Sequence, residues 1–177
     1  MNLFFTLANI IFTLLLQHIE EALFGLRKRQ KKYNDIFDQS VVVLDETFPQ
    51  FILSAYNKRA NARGNNYKCD ATIMLYPNGK QPLHFARKWK DKRALYTVLN
   101  VMKHHWVAVK VDLNLCKLIV FDCNTSANDN ETIQKAMEPL CTMIPIILKQ
   151  TQWFTKLGAS LESPWPYVRE TNLPQNW

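Results

Sequence analysis

The chain has 177 residues and a formal net charge of +7, with 47% hydrophobic and 12% aromatic residues. That length suits one domain with a real core, and that composition excludes a disordered chain. The four cysteines, Cys69, Cys116, Cys123 and Cys141, form no CxxC pair and no His/Cys ligand spacing, so they read as reduced intracellular thiols with neither metal nor cofactor expected.

The first sixteen residues, MNLFFTLANIIFTLLL, carry no charged side chain. A membrane span needs roughly 20 apolar residues, and the stretch has no basic leader and no small-residue cleavage site. It reads as the start of an amphipathic or buried helix over residues 4–32, weakened at Gly25. A membrane anchor with the run from Arg27 to Lys32 on the cytoplasmic side is the alternative. Residues 1–25 thus stand apart as an apolar N-terminal helix of open role. The positive charge gathers at Arg27–Lys32 and again at Arg87–Arg93, around Trp89. Nucleic acid, an acidic membrane or an acidic protein would each suit such runs, and a solvated basic face is the plainer reading.

Residues 40–60 predict a short extended entry followed by a helix, with Asp45 as its N-cap and Pro49 limiting where it begins. Residues 61–70 are loop by composition. ATIMLYPNGKQPLHF predicts a strand, a Pro-Asn-Gly turn and a second extended piece. KRALYTVLNVMK suits either helix or strand. The stretch after Asp122 supplies cap residues and then helical spacing through Ile133, Ala136, Met137 and Leu140, which Pro139 and Pro145 should kink or divide. The tail from Glu162 is proline-rich and extended.

The most informative stretch is HHWVAVKVDLNLCKLIVFDCN, residues 104–124. Two apolar runs flank a short polar turn, which predicts a hairpin. With a two-residue loop at Leu113-Asn114, opposed residues have numbers summing to 227, as His105 and Asp122 do. Their Cβ atoms would lie about 5 Å apart on one face. Val107, Val109 and Val111 share that face, opposite Val120, Leu118 and Cys116, and a one-residue slip would part the pair. A carboxylate beside an imidazole accepts from Nδ1–H, fixes the tautomer and leaves Nε2 as a base. A structural His–Asp pair closing a hairpin is the plainer alternative.

These residues resemble the ubiquitin-like-protein-specific (SUMO-type) cysteine protease family, in its divergent plant, mobile-element-associated branch. His105-Trp106 followed by VAVKVDL, a turn and LIVFD is similar to the family's His-Trp…Asp core. LRKRQKKYNDIFDQSVVVLDETFPQFIL is similar to the segment leading into the protease domain, and ARKWKDKRALYTVLNV to the Trp-containing approach to the catalytic His. NLPQN is similar to the start of the family's Pro-Gln…Gly-Asp-Cys-Gly stretch.

The resemblance covers residues 26–177 and implies a partial ubiquitin-like protease domain there. Its fold would be α/β (α+β) and papain-like, a central mixed sheet with flanking helices, C-terminally incomplete. His105 would be the general base, Asp122 the residue that orients it, and Trp106 the aromatic packed on the pair. Trp89 would pack along the approach to the groove. Gln175 would donate to the oxyanion hole, a role that one shift in alignment moves to Asn176. The implied partner is a ubiquitin-like modifier or a modified protein, the chain monomeric and intracellular, nuclear or cytoplasmic.

One departure dominates. The nucleophilic cysteine should follow the Pro-Gln within a few residues, and the sequence ends at Trp177. Cys123 follows Asp122 directly, so alternation turns it to the opposite face. Cys116 sits six residues from the His105 end of the hairpin, roughly 20 Å away at ~3.3 Å per residue, beyond the reach that attack requires. Cys69 and Cys141 have no nucleophile-like surroundings. The chain is therefore expected not to cleave as written. Three functions compete: a cysteine-type peptidase or isopeptidase, a non-catalytic relic that binds a modifier or other protein, and a basic nucleic-acid- or membrane-binding module. The third ranks last because no nucleic-acid motif is present.

Overall fold

A computed structural model describes residues 3–61, 67–151, 164–170 and 172–173, with side chains from Leu16 onward. Among the described residues, nine elements follow in chain order: α1 (Leu3–Lys32), β1 (Val41–Val43), α2 (Phe48–Asn61), α3 (Ala71–Met74), β2 (Ala94–Val101), β3 (His105–Asp112), β4 (Lys117–Phe121), α4 (Asn130–Gln150) and β5 (Tyr167–Glu170). The strands form one mixed sheet in the order β1-β2-β3-β4-β5, parallel at its two outer pairs and antiparallel at the two inner ones. Helices α2 and α4 pack on each other and on β2. Val107, Val109 and Val111 of β3 and Leu118 and Val120 of β4 meet them in one core.

Local chemistry accounts for most boundaries. Asp45 Oδ1 accepts from Phe48 N at 3.0 Å and starts α2, as its sequence position predicts. Asp129 caps α4 through Thr132 N at 2.8 Å, and Glu131 in the first turn and Lys149 in the last complement the helix dipole. Pro139 and Pro145 do not divide α4, which runs unbroken over 21 residues. Each proline removes a backbone donor, but every residue from Pro139 to Pro145 is buried, and that burial outweighs the lost bonds. Helix α1 likewise continues across Gly25. Among the described residues, no helix is long and apolar enough to cross a membrane.

ATIM is a one-turn helix and not a strand. Asp70 accepts from Ile73 N at 3.1 Å, and that cap overrides the β-propensity of the apolar residues. The Pro-Asn-Gly turn is present. Gly79 N donates to Tyr76 O at 3.0 Å, and Gly79 has φ +69°. A Cβ there would lie 2.6 Å from Lys88 N and 2.9 Å from Arg87 C, both backbone atoms. Gly79→Ala is therefore expected to destabilise the protein by about 1–3 kcal/mol. A chemical-denaturation curve that overlays the wild type would contradict this.

The hairpin loop has four residues, 113–116, and not two. Asp112 Oδ1 holds it by accepting from Asn114 N at 3.2 Å and Leu115 N at 3.0 Å, and Cys116 adopts φ +50°. The register is Val109↔Val120 and Val111↔Leu118, two residues off the predicted one. Because the side-chain period is also two, every predicted face survives the shift. Cys116 leaves the strand altogether.

Candidate active site

The outer end of β3 carries the site. His105 is the first residue of β3, paired with Val101 across the turn at residues 102–104, where Met102 and Lys103 take positive φ. Asp122 follows β4 directly, and its N–H donates to Glu170 O at 3.5 Å. The observed register, extended by one step, sets Asp122 opposite Val107, so His105 meets it diagonally across the strands. Diagonal neighbours on one face are within reach of long side chains.

The contact is direct. His105 Nε2 lies 2.8 Å from Asp122 Oδ1, with the imidazole 11% exposed and the carboxylate fully buried. The carboxylate thus engages Nε2 and not Nδ1, the reverse of the expected contact. Starting from the strand end, the ring reaches back along the sheet to Asp122, and its far nitrogen makes the contact. Orientation of an imidazole by a buried carboxylate is the arrangement that general-base chemistry needs.

A buried carboxylate is costly unless it is paired and hydrogen-bonded. Asp122 is both. Asn124 N donates to Oδ1 at 2.9 Å, while Arg169 of β5 donates twice to Oδ2, from Nε at 3.1 Å and Nη2 at 2.6 Å. Burial alone would raise the Asp122 carboxyl. The Asn124 N–H, Arg169 and His105 together outweigh it and hold the group below its ordinary value. Arg169 is itself anchored, donating from Nη1 to Asn130 Oδ1 at 2.7 Å and from Nη2 to Asn128 O at 3.0 Å and Thr125 O at 3.2 Å. One guanidinium therefore ties β5, the loop after β4 and the start of α4 to the carboxylate.

Sequence reasoning missed Arg169. It lies 47 residues beyond Asp122, and the parallel pairing of β4 with β5 that joins them has no local signature. Its only sequence sign is a lone cation in the alternating stretch Tyr167–Glu170.

Trp106, the neighbour of His105, is partly buried and forms a wall of a cavity of about 530 Å³, together with Leu99, Asn100, Met102 and Pro139. Trp89 lies elsewhere. It is 1% exposed and packs edge-on to Phe48, with ring centroids 5.8 Å apart, so it serves the core and lines no groove. Burial of this Trp also counts against the basic segment around it as a nucleic-acid platform. Gln175 and Asn176 lie outside the described residues.

Three of the four cysteines lie in surroundings unlike a nucleophile's. Burial pushes the Cys69 thiol up to about 11 and Cys141 up to about 12. Burial also raises Cys116, whose Sγ lies 3.8 Å from Leu113 O in the hairpin loop. A thiolate nucleophile needs the opposite environment. Among the described residues, no group of His, Cys, Asp and Glu is arranged to hold a metal ion.

No curated protein matches the chain. Among solved structures, the fold is similar to a SUMO protease Ulp1 with its catalytic cysteine oxidised to a sulfenic acid. That match has a TM-score of 0.50 and 11% identity, covering 89% of this chain and 56% of the other. A second Ulp1 structure, with the cysteine as a sulfinic acid, matches at TM-score 0.42 and 9% identity, over 87% of this chain and 56% of the other. The chain thus spans little more than half the length of these structures. Its sequence matches the description "Ulp1 protease family, C-terminal catalytic domain" over residues 15–177, and by that match the chain belongs to the Ulp1 protease family.

Proposed function

We propose that the described site is the general-base half of a cysteine peptidase acting on a SUMO-like modifier or its conjugates, and that none of this chain's four cysteines is the nucleophile. The observation that carries the reading is the 2.8 Å contact between His105 Nε2 and Asp122 Oδ1, with Arg169 holding the carboxylate from behind. In this reading Asp122 keeps the imidazole oriented and stabilises its protonated form. Nδ1 of His105 then accepts the proton of a thiol, which attacks the scissile carbonyl. Trp106 borders the path of an extended substrate beside the base. Raised thiol pKa values at Cys69, Cys116 and Cys141 support placing the nucleophile outside these residues. Cys123 is excluded in the same reading by strand alternation after Asp122.

The test uses a SUMO-type modifier with a C-terminal electrophile, incubated with the 177-residue protein. Intact-mass measurement is expected to show no adduct, while the same modifier, isotope-labelled and without the electrophile, shows selective NMR broadening of its C-terminal tail. An adduct at any of the four cysteines would overturn the assignment of the nucleophile. Absence of any tail perturbation at millimolar protein would overturn the substrate class.

A further inference from the structure

From Leu16 onward, helix α1 meets the domain through several polar contacts. Its inward stripe runs Leu16, Glu20, Leu23, Arg27, Gln30, at helical spacing. Of these, Leu23 is the buried apolar residue, helped by Phe24 packing on His84 and Phe85. Arg27, 2% exposed, donates to Leu44 O at 3.2 Å and pairs with Glu20 Oε1. Gln30 Nε2 donates to Asp38 O at 2.7 Å and Val41 O at 3.0 Å. One polar contact in this set lacks a cation. Glu20 of α1 meets Glu46 of the β1–α2 loop side chain to side chain. The Oε2 atom of each is buried with no hydrogen-bond partner as two carboxylates. A single proton between the two carboxyls would remove the repulsion, since like charges in contact cannot both remain ionised cheaply.

We propose that the Glu46 carboxyl carries a proton that it donates to Glu20, and that this proton clamps the part of α1 around Glu20 against the domain in mildly acid solution and releases it as the pH approaches neutrality. The clamp has a target. Leu16, one turn before Glu20, and Glu46 itself are walls of the same cavity that Trp106 borders, so release of α1 opens that cavity on one side.

The surrounding charges agree. On α1, Arg27 neutralises Glu20, while His18 and Glu21 point to solvent. From the loop, Asp45 adds negative charge, and its own oxygen is taken by Tyr76 Oη at 2.9 Å. From α4, Lys135 lines the cavity but is paired with Glu131 at 2.6 Å. His84 contacts Phe24 one turn beyond Glu20 and not the pair. No cation is thus left for Glu46 among these groups. Burial first, and then the hydrogen bond to Glu20, push the Glu46 carboxyl up to about 7. The sign follows. A carboxyl whose folded value lies above its ordinary one contributes stability in acid, and that contribution falls between the two values, from about 4.5 to about 7, with no further loss above.

Hydrogen exchange measured on the full chain tests the clamp, with rates corrected for intrinsic pH dependence and referenced to the buried centre of α4. Protection of residues 16–26 is expected to fall on the order of fifty-fold between about pH 5 and about pH 7.5. Glu46→Gln, a neutral amide able to bond Glu20 at every pH, should reduce that change to less than about threefold. A carbon-13 titration of the Glu46 carboxyl should show a midpoint near 7. Equal wild-type protection at both pH values, a Glu46→Gln profile like the wild type, or a Glu46 midpoint in the ordinary carboxylate range would each overturn the proposal.

Discussion

Replacing Arg169 with alanine is expected to lower folding stability by about 3–5 kcal/mol at pH 7. The side chain removed is 11% exposed, and the carboxylate it leaves behind is fully buried. Loss of Arg169 takes both donors from Asp122 Oδ2 and also removes one donor each from Thr125 O, Asn128 O and Asn130 Oδ1. The buried Asp122 carboxylate left short of donors accounts for most of the cost, because the net gain from an intact buried ion pair is small. Arg169→Lys should fall between wild type and alanine. An ammonium replaces the charge but not the planar fork that reaches four acceptors.

The loss should also depend on pH in a defined direction. In the wild type, Asp122 is held below its unfolded value of 3.8, so its contribution is present above that pH and is lost as pH falls through the folded value. Without Arg169, burial is opposed only by Asn124 and His105 and the folded value rises. The gap between wild type and Arg169→Ala is therefore widest at neutral pH and narrows below about pH 4. Asp122→Asn placed on Arg169→Ala should recover much of the loss at pH 7, since it removes the stranded charge. Urea unfolding at pH 7 and pH 3 for the three variants reads all of this. An Arg169→Ala protein within 1 kcal/mol of wild type at pH 7, roughly the worth of an exposed pair, would show that Arg169 is not the anchor.

The sheet and its face were legible because β-structure repeats every two residues. His105, Val107, Val109 and Val111 alternate with Trp106, Ala108 and Lys110, and no register with an even shift moves His105 and Asp122 to different faces. The loop length was not legible. Leu113-Asn114 gives no strong turn signal, and the determinant is Asp112, whose carboxylate organises a four-residue loop through two backbone donors. The helix at Ala71–Met74 was misread because Ile73 and Met74 look like strand, although Asp70 stood in the sequence as a cap. The unbroken α4 shows the opposite failure. Proline is a local breaker, and burial of both prolines in the core is a property of the tertiary structure. Arg169 was beyond any local rule, since it is settled by which distant strand lies beside β4, and the choice of imidazole nitrogen follows from the hairpin register that the loop length sets.

Trp89→Ala is expected to cost a further class of stability, about 3–5 kcal/mol, read from urea or thermal unfolding. Its neighbours Lys88 and Lys90, both exposed, should change stability by less than about 0.5 kcal/mol when each is replaced by alanine. The contrast separates two accounts of the segment from Arg87 to Arg93. A stacking platform for nucleic acid needs its aromatic ring open to bases, so its removal weakens binding and leaves the fold intact. Here the indole is enclosed and leans on Phe48, the first residue of α2. Phe48 in turn packs on Tyr76 at 4.9 Å, and Tyr76 Oη donates to Asp45 at 2.9 Å. Thr97 of β2 bonds the Asp45 carbonyl at 3.4 Å. Emptying the Trp89 site therefore loosens the start of α2, and with it Pro49 and Leu53, which wall the cavity beside Trp106. A stable Trp89→Ala protein with weakened nucleic-acid binding would reverse the assignment, because no buried Trp with these contacts can be deleted without leaving a cavity.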